Sequence, residues 1–266
     1  MEAVPRHAGH RMGRAALVLG LAAATVTGAI QGWRALDRAG ALRIRTVRFE
    51  GLVRSTADEL LALSPVKPGD QLVSADVDAM EQALGRHPWV RQVDVQRRWP
   101  PSLTVKVTER TATALVDLAG LYLVDGEANV FKRAAAGDGL DLPLVTGISR
   151  NDFLQRPAAV EPLLAGALAL ARAWREGGRD AMAPLSEIHV DPGDDGTTIY
   201  VGEEGTQVRL GSGDLPAKLS RLEKVLSALR AEGKKAEVLH LENRLHPSWV
   251  AVRLATTEQT SKGGAR

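Results

Sequence analysis

The sequence predicts an α+β protein: an N-terminal single transmembrane helix, a small β-α-α-β-β domain, then a larger mixed β domain with two helices. Three observations carry that prediction. An uncharged run of 19 residues lies close to the start. One strand, two helices and two strands then follow within about seventy residues, each marked by its own hydrophobic period. From Thr111 onward the strands shorten and turn residues become frequent, with two longer helical patterns set among them.

Composition narrows the function classes. The 266 residues are 44% apolar and 25% charged, enough for a globular core. A formal net charge of +2 gives no basic face or stripe of the kind that nucleic acid requires. The chain has no cysteine, so disulfides and thiolate metal sites are excluded.

The uncharged run, Ala15 to Trp33, is just long enough to cross about 30 Å of hydrocarbon as a helix. Leu17, Leu19, Leu21, Val26 and Ile30 are its apolar anchors, and Trp33 stands where an interfacial aromatic would. Arg6, Arg11 and Arg14 precede it against the single acid Glu2, so the positive-inside rule keeps residues 1–14 in the cytoplasm. A cleaved signal peptide is the competing reading, with Thr27-Gly28-Ala29 loosely suited to cleavage. Either way the rest of the chain is exported. A second apolar stretch, Pro162 to Ala171, is too short to span and reads as a buried amphipathic helix.

After a connector over 34–43, a first domain is expected over 44–111. Ile44 to Glu50 alternates as a strand, with Val47 and Phe49 on one face, and Gly51 ends it. Ser55 precedes a short helix with Glu59 in its first turn. Pro65, Pro68 and Gly69 break the chain, and Ser74 opens a second helix with Val77, Met80, Ala83 and Leu84 as its apolar stripe. Val93 and Val95 share a face of the next strand, and Leu103, Val105 and Val107 a face of the last. Trp99-Pro100-Pro101-Ser102 turns between them, because proline has no N–H for a central ladder.

A second domain is expected over 112–255, with a disordered tail over 256–266. Leu121 to Val124 and Val130 to Lys132 form a hairpin around Asp125 to Asn129. A helix runs from Ala158 to Glu176 and stops at Gly177-Gly178. Two alternating runs flank Asp194-Asp195-Gly196, and a third covers Thr206 to Leu210. Another helix starts near Asp214, with Pro216 in its first turn and Leu215, Leu219, Leu222, Val225, Leu226 and Leu229 along one face. Glu237 to Leu241 and Trp249 to Leu254 finish the domain as strands.

On these residues the chain resembles the bacterial cell-division family FtsQ/DivIB. His87-Pro88-Trp89-Val90, the Arg98-Trp99-Pro100-Pro101-Ser102-Leu103 turn and Val107-Thr108-Glu109-Arg110 look like a polypeptide-transport-associated (POTRA) domain. Tyr122 to Gly126 with Val130-Phe131, and Val208 to Gly211 followed by Lys218-Leu219, are similar to the family's second domain. The resemblance departs at His240-Leu241-Glu242, where the family often shows Asp-Leu-Arg.

The search for chemistry returns little. His189, Asp191, Asp194 and Asp195 crowd together without EF-hand spacing, and their glycines suit a hairpin turn. Gly211-Ser212-Gly213 before a helix lacks the Lys-Ser/Thr of a P-loop. His240 and His246 are six residues apart and do not converge on a metal. No nucleophile elbow, HExxH or serine–lysine motif is present. The expectation is a protein that is not an enzyme and holds no cofactor.

What remains is surface. An edge strand has a row of unpaired N–H and C=O groups that an incoming strand completes. Trp249, Val250, Ala251, Val252, Arg253 and Leu254 are the candidate partner-binding strand, with Val250 and Val252 facing the core and Arg253 ready for an acid on the partner. The alternative is an internal core strand. The resemblance implies a non-enzymatic scaffold in the cell inner membrane at the division septum. It implies that this end binds FtsB and FtsL outside the membrane and, through them, communicates with the septal peptidoglycan synthase. A POTRA-containing accessory protein for envelope protein translocation or assembly is the alternative function. A cell-wall hydrolase would need a convergent polar cluster.

Overall fold

The computed structural model describes residues 8–38, 40–193, 196–242, 246 and 249–255, with the side chains of 8–19 and 36–38 set aside. Residues 1–7 of the expected cytoplasmic tail, the Asp194-Asp195 pair and the expected disordered tail 256–266 lie outside the described residues. The rest forms a long helix and two compact units, divided between Glu109 and Arg110.

Helix α1 (Ala8–Arg38) covers the whole expected span. Leu21, Val26, Ile30 and Trp33 on it are all exposed, while the side chains of Leu17 and Leu19 lie outside the described set. Among the described residues no helix is long and apolar enough to cross a membrane. The expected span begins at Ala15, six residues before the first described side chain at Leu21.

The first unit is built from β1 (Thr46–Glu50), α2 (Ala57–Leu63), α3 (Val77–Leu84), β2 (Val90–Arg98) and β3 (Ser102–Glu109). The strand order is β1-β3-β2, with β1 parallel to β3 and β2 antiparallel to it. Val95 lies opposite Val105 and Val47 beside Leu103, so the alternating valines and leucines share one face. Leu60, Met80 and Leu84 from the helices bury against that face.

Both helix starts differ from the sequence expectation by a residue or two. Thr56, not Ser55, caps α2: its hydroxyl accepts from Glu59 N–H while the Glu59 carboxylate accepts from Thr56 N–H. Asp76, not Ser74, caps α3 through Ala79 N–H. Gly51 ends β1 at φ 86°, and a Cβ there would lie 2.1 Å from the Val107 carbonyl oxygen.

Ser55 is buried for another reason. The Glu109 carboxylate at the end of β3 accepts from Arg54 N–H at 2.7 Å, Ser55 N–H at 2.9 Å and the Ser55 hydroxyl. One side chain thus closes the loop between β1 and α2 onto the last strand. Burial favours the neutral acid, but these hydrogen bonds outweigh it and hold the Glu109 pKa below the ordinary carboxylate range. Glu109→Gln should cost about 1–3 kcal/mol by leaving donors without an acceptor. Faster amide exchange at Arg54 and Ser55 would show it, and unchanged protection there would remove the loop-closing role.

The second unit is a nine-stranded mixed sheet. Its strands are β4 (Ala112–Asp117), β5 (Leu121–Asp125), β6 (Val130–Arg133), β7 (Leu144–Thr146), β8 (Leu185–Asp191), β9 (Gly196–Val201), β10 (Thr206–Arg209), β11 (Ala236–His240) and β12 (Ala251–Leu254). They lie in the order β12-β11-β10-β9-β8-β7-β4-β5-β6. Three helices belong to this unit: α4 (Arg150–Gln155), α5 (Pro157–Glu176) and α6 (Leu215–Ala231). The sequence reading has two helices and no strand at β7. Six-residue α4 and three-residue β7 are each too short to repeat their period of 3.6 or 2.

Helix α5 takes up the second apolar stretch of the sequence and buries Leu164, Leu168, Leu170 and Trp174 against β4 and β8. The Trp174 indole donates to the Ala183 carbonyl at 3.0 Å. Asp214 caps α6, which buries Leu219 and Leu222 in the same core, with Leu215, Val225, Leu226 and Leu229 packed partly buried around them.

Candidate functional site

The His189 Nδ1 lies 2.8 Å from the Thr146 hydroxyl, which also donates to Glu187 at 2.6 Å. Asp191 accepts from Gly193 N–H at 2.9 Å and so serves the turn. Among the described residues no group of three or more His, Asp or Glu side chains could hold a metal ion. In the Gly211 to Gly213 loop, the Lys218 ammonium donates to the carbonyls of Leu210 and Ser212. The start of α6 is itself capped by the Asp214 carboxylate, which accepts from Ala217 N–H at 3.1 Å, so an acid of the chain already takes the place of an anion there.

Asp125 is the polar centre that sequence reasoning missed. It is 5% exposed and accepts from Glu127 N–H and Asn129 N–H at 3.0 Å each, from the Asn129 side-chain amide, and from Arg110 at 2.8 Å. The Arg110 guanidinium also lies over the Phe131 ring, 5.9 Å from its centroid. Burial pushes the Asp125 pKa up, but the backbone and side-chain bonds from Asn129, then Glu127 and Arg110, bring it below the ordinary carboxylate value. This half-buried ion pair fastens the turn between β5 and β6 to the segment that leads into β4. The signal was present as Arg110, Asp125 and Asn129, but nothing in their spacing says that they meet.

The folded pKa of Asp125 and of Glu109 lies below the unfolded value, so the stabilisation is complete above the ordinary carboxylate range of about 4. It is lost as pH falls through the folded values. Acid titration of thermal stability should therefore show a decline below about pH 4 that is shallower in Asp125→Asn. An equal slope in that variant would exclude Asp125 as a contributor.

The functional candidates are then the strand edges. Each sheet has two. In the first unit, β1 presents Arg48 and Glu50, and β2 presents Arg91, Asp94 and Arg98, charges of the kind that guard an edge. In the second, β6 carries Lys132 and Arg133. The opposite edge is β12, which has no lysine or proline and leaves Val252 39% and Leu254 45% exposed. It is the edge least protected against an added strand.

Register shows how β12 is held. It is antiparallel to β11, with Leu239 opposite Val252 and His240 opposite Ala251. Ala255 N–H donates to Lys235 at 2.9 Å. Because N–H and C=O directions alternate along an antiparallel strand, Ala251 and Arg253 share that inward direction, and Val252 and Leu254 turn their backbone groups outward.

Side-chain placement corrects two expectations. Val250 packs half-buried on the core, but Val252 does not join it. It lies opposite fully buried Leu239, yet at the rim its outer flank stays open. Arg253 pairs with Glu237 of the neighbouring strand at 3.3 Å instead of waiting for a partner's acid. Trp249 and Val250 precede the strand proper: Trp249 is exposed, bonded through its N–H to the His246 carbonyl, and stacked on the His246 ring at 4.3 Å. His240 ends β11 and Glu242 lies exposed beyond it, beside Gly211.

Comparison with known proteins adds the family context. The family model described as "POTRA domain, FtsQ-type" matches residues 42–110, and "Cell division protein FtsQ/DivIB, C-terminal" matches residues 114–242. A protein of Anaeromyxobacter sp. (strain K) named "Cell division protein FtsQ" is 54% identical over 96% of this chain and 87% of its own length. Relatives of the same name from Myxococcus fulvus and Geobacter sp. (strain M21) are 42% and 31% identical. They cover 84% and 89% of the chain, and 77% and 85% of their own lengths.

Proposed function

From the premise that this chain belongs to the FtsQ/DivIB family of bacterial cell-division proteins, we propose that it is a non-enzymatic scaffold of the divisome. In this reading α1 anchors it in the inner membrane, with residues 1–14 cytoplasmic and both units periplasmic at the septum. The POTRA unit helps bring it to the division site. The second unit adds a strand of an FtsB–FtsL type pair along β12, and that pair communicates with the septal peptidoglycan synthase. The observation that carries the reading is β12 itself, an edge strand with outward backbone groups and exposed apolar side chains at its rim. Two-dimensional confinement by the anchor raises effective concentration, so a four-residue strand with modest pairwise affinity suffices.

Depletion in the native host should give long, undivided cells with segregated chromosomes. Normal septa accompanied by failed envelope protein assembly would overturn the scaffold in favour of a translocation accessory.

A further inference from the structure

Backbone hydrogen bonds gather three segments at one end of the first unit. Leu72 N–H donates to Leu42, Ile44 N–H to Asp70 at 2.8 Å, and Arg45 N–H to Pro101 at 2.9 Å. The Arg97 guanidinium ties the loop before α3 to β2, donating to the Leu72 and Ala75 carbonyls at 3.1 and 2.7 Å. Residues 42–45, 69–75 and 97–101 thus form one surface. The opposite end of the sheet holds Val53 to Ser55 on Glu109, about 25 Å away along eight-residue β3.

That surface has an unusual makeup for a solvated loop cluster. Trp99 is 72% exposed at the tip of the β2–β3 turn, and Val73 is 58% exposed on the neighbouring loop. Arg43, Arg45, Arg98 and Lys67 are exposed around them. Two acids stand among them, Asp70 bonded to Lys67 N–H and Asp76 capping α3, so cations outnumber acids in the cluster. The chain also enters the unit at this end. Ile44 is buried six residues after Arg38, the last residue of α1, which limits the separation to about 20 Å.

We propose that this end of the POTRA unit lies on the bilayer, with Trp99 and Val73 in the headgroup layer and Arg43, Arg45 and Arg98 on anionic phospholipid phosphates. An indole with one polar edge partitions to the interface, and each nearby arginine adds electrostatic attraction to an anionic surface. The inference rests on the reading of α1 as an anchor. It gives the unit a defined stance, in which the Glu109 end points away from the membrane.

The absence of cysteine makes the test direct. The full chain would be reconstituted in phosphatidylcholine vesicles with and without phosphatidylglycerol, carrying Val73→Cys or Val53→Cys labelled with an environment-sensitive fluorophore. Flotation should recover both proteins with the vesicles. Headgroup spin-labelled lipid should quench the label at position 73 several-fold more than at 53, more strongly with phosphatidylglycerol. Trp99→Ala or Arg45→Glu in the Val73→Cys background should remove most of that excess. Flotation with equal quenching at both positions overturns this proposal alone. Failure to float overturns the anchor and this proposal with it.

Discussion

Val252→Pro should weaken partner binding by about 2 kcal/mol, some thirtyfold in Kd, while leaving the fold in place. The Val252 N–H points away from β11, so proline there removes a donor offered to an incoming strand without breaking the bonds to β11. Edge strands tolerate proline on that outward side. At Arg253, whose backbone faces β11, the same substitution should instead detach β12. Titration calorimetry with a purified FtsB–FtsL type pair measures the affinity, and near-UV circular dichroism checks the fold. Unchanged affinity in a folded Val252→Pro protein would move the interface off β12.

Trp174→Ala should destabilise the second unit by about 3–5 kcal/mol. The indole is 1% exposed, packed among α5, β4 and β8, and its N–H is spent on the Ala183 carbonyl. Truncation removes the largest fully buried side chain and leaves that carbonyl without its donor. For a unit of this size the melting temperature should fall by roughly 10 °C. Trp174→Phe should fall by less than half of that, because the ring volume largely remains. A shift of a degree or two in the alanine variant would mean that the site collapses around the cavity.

These two residues were not equally legible. Trp174 lies in the helix expected from Ala158 to Glu176, three residues beyond the stretch read as buried, so its burial extends that reading by one turn. Alternation with Trp249, Ala251 and Arg253 puts Val252 on the core face together with Val250. Alternation assigns a face of the sheet, and Val252 does lie on the face of Leu239. It cannot report whether the core extends beneath the last strand. Alternation likewise leaves Arg253 available to a partner, whereas Glu237 on the adjacent strand holds it. The caps Thr56 and Asp76 lie one and two residues past Ser55 and Ser74, because several Ser, Thr and Asp candidates stand side by side and only backbone geometry selects among them.

The sequence by itself determined the local elements: the order of the first unit, the hairpin around Asp125, helices α5 and α6, and a short final strand without proline. Each is set by a period of 2 or 3.6 and by turn residues, which act within a few positions. It also determined the family, through motifs that lie in contiguous stretches. Only the tertiary structure decided that nine short strands join one sheet with β12 outermost, and that Glu109 and Asp125 are fastenings. Only it brought Trp99, Val73 and the arginines to the end where the chain enters. These outcomes depend on contacts between segments tens of residues apart, where no local period or cap carries information.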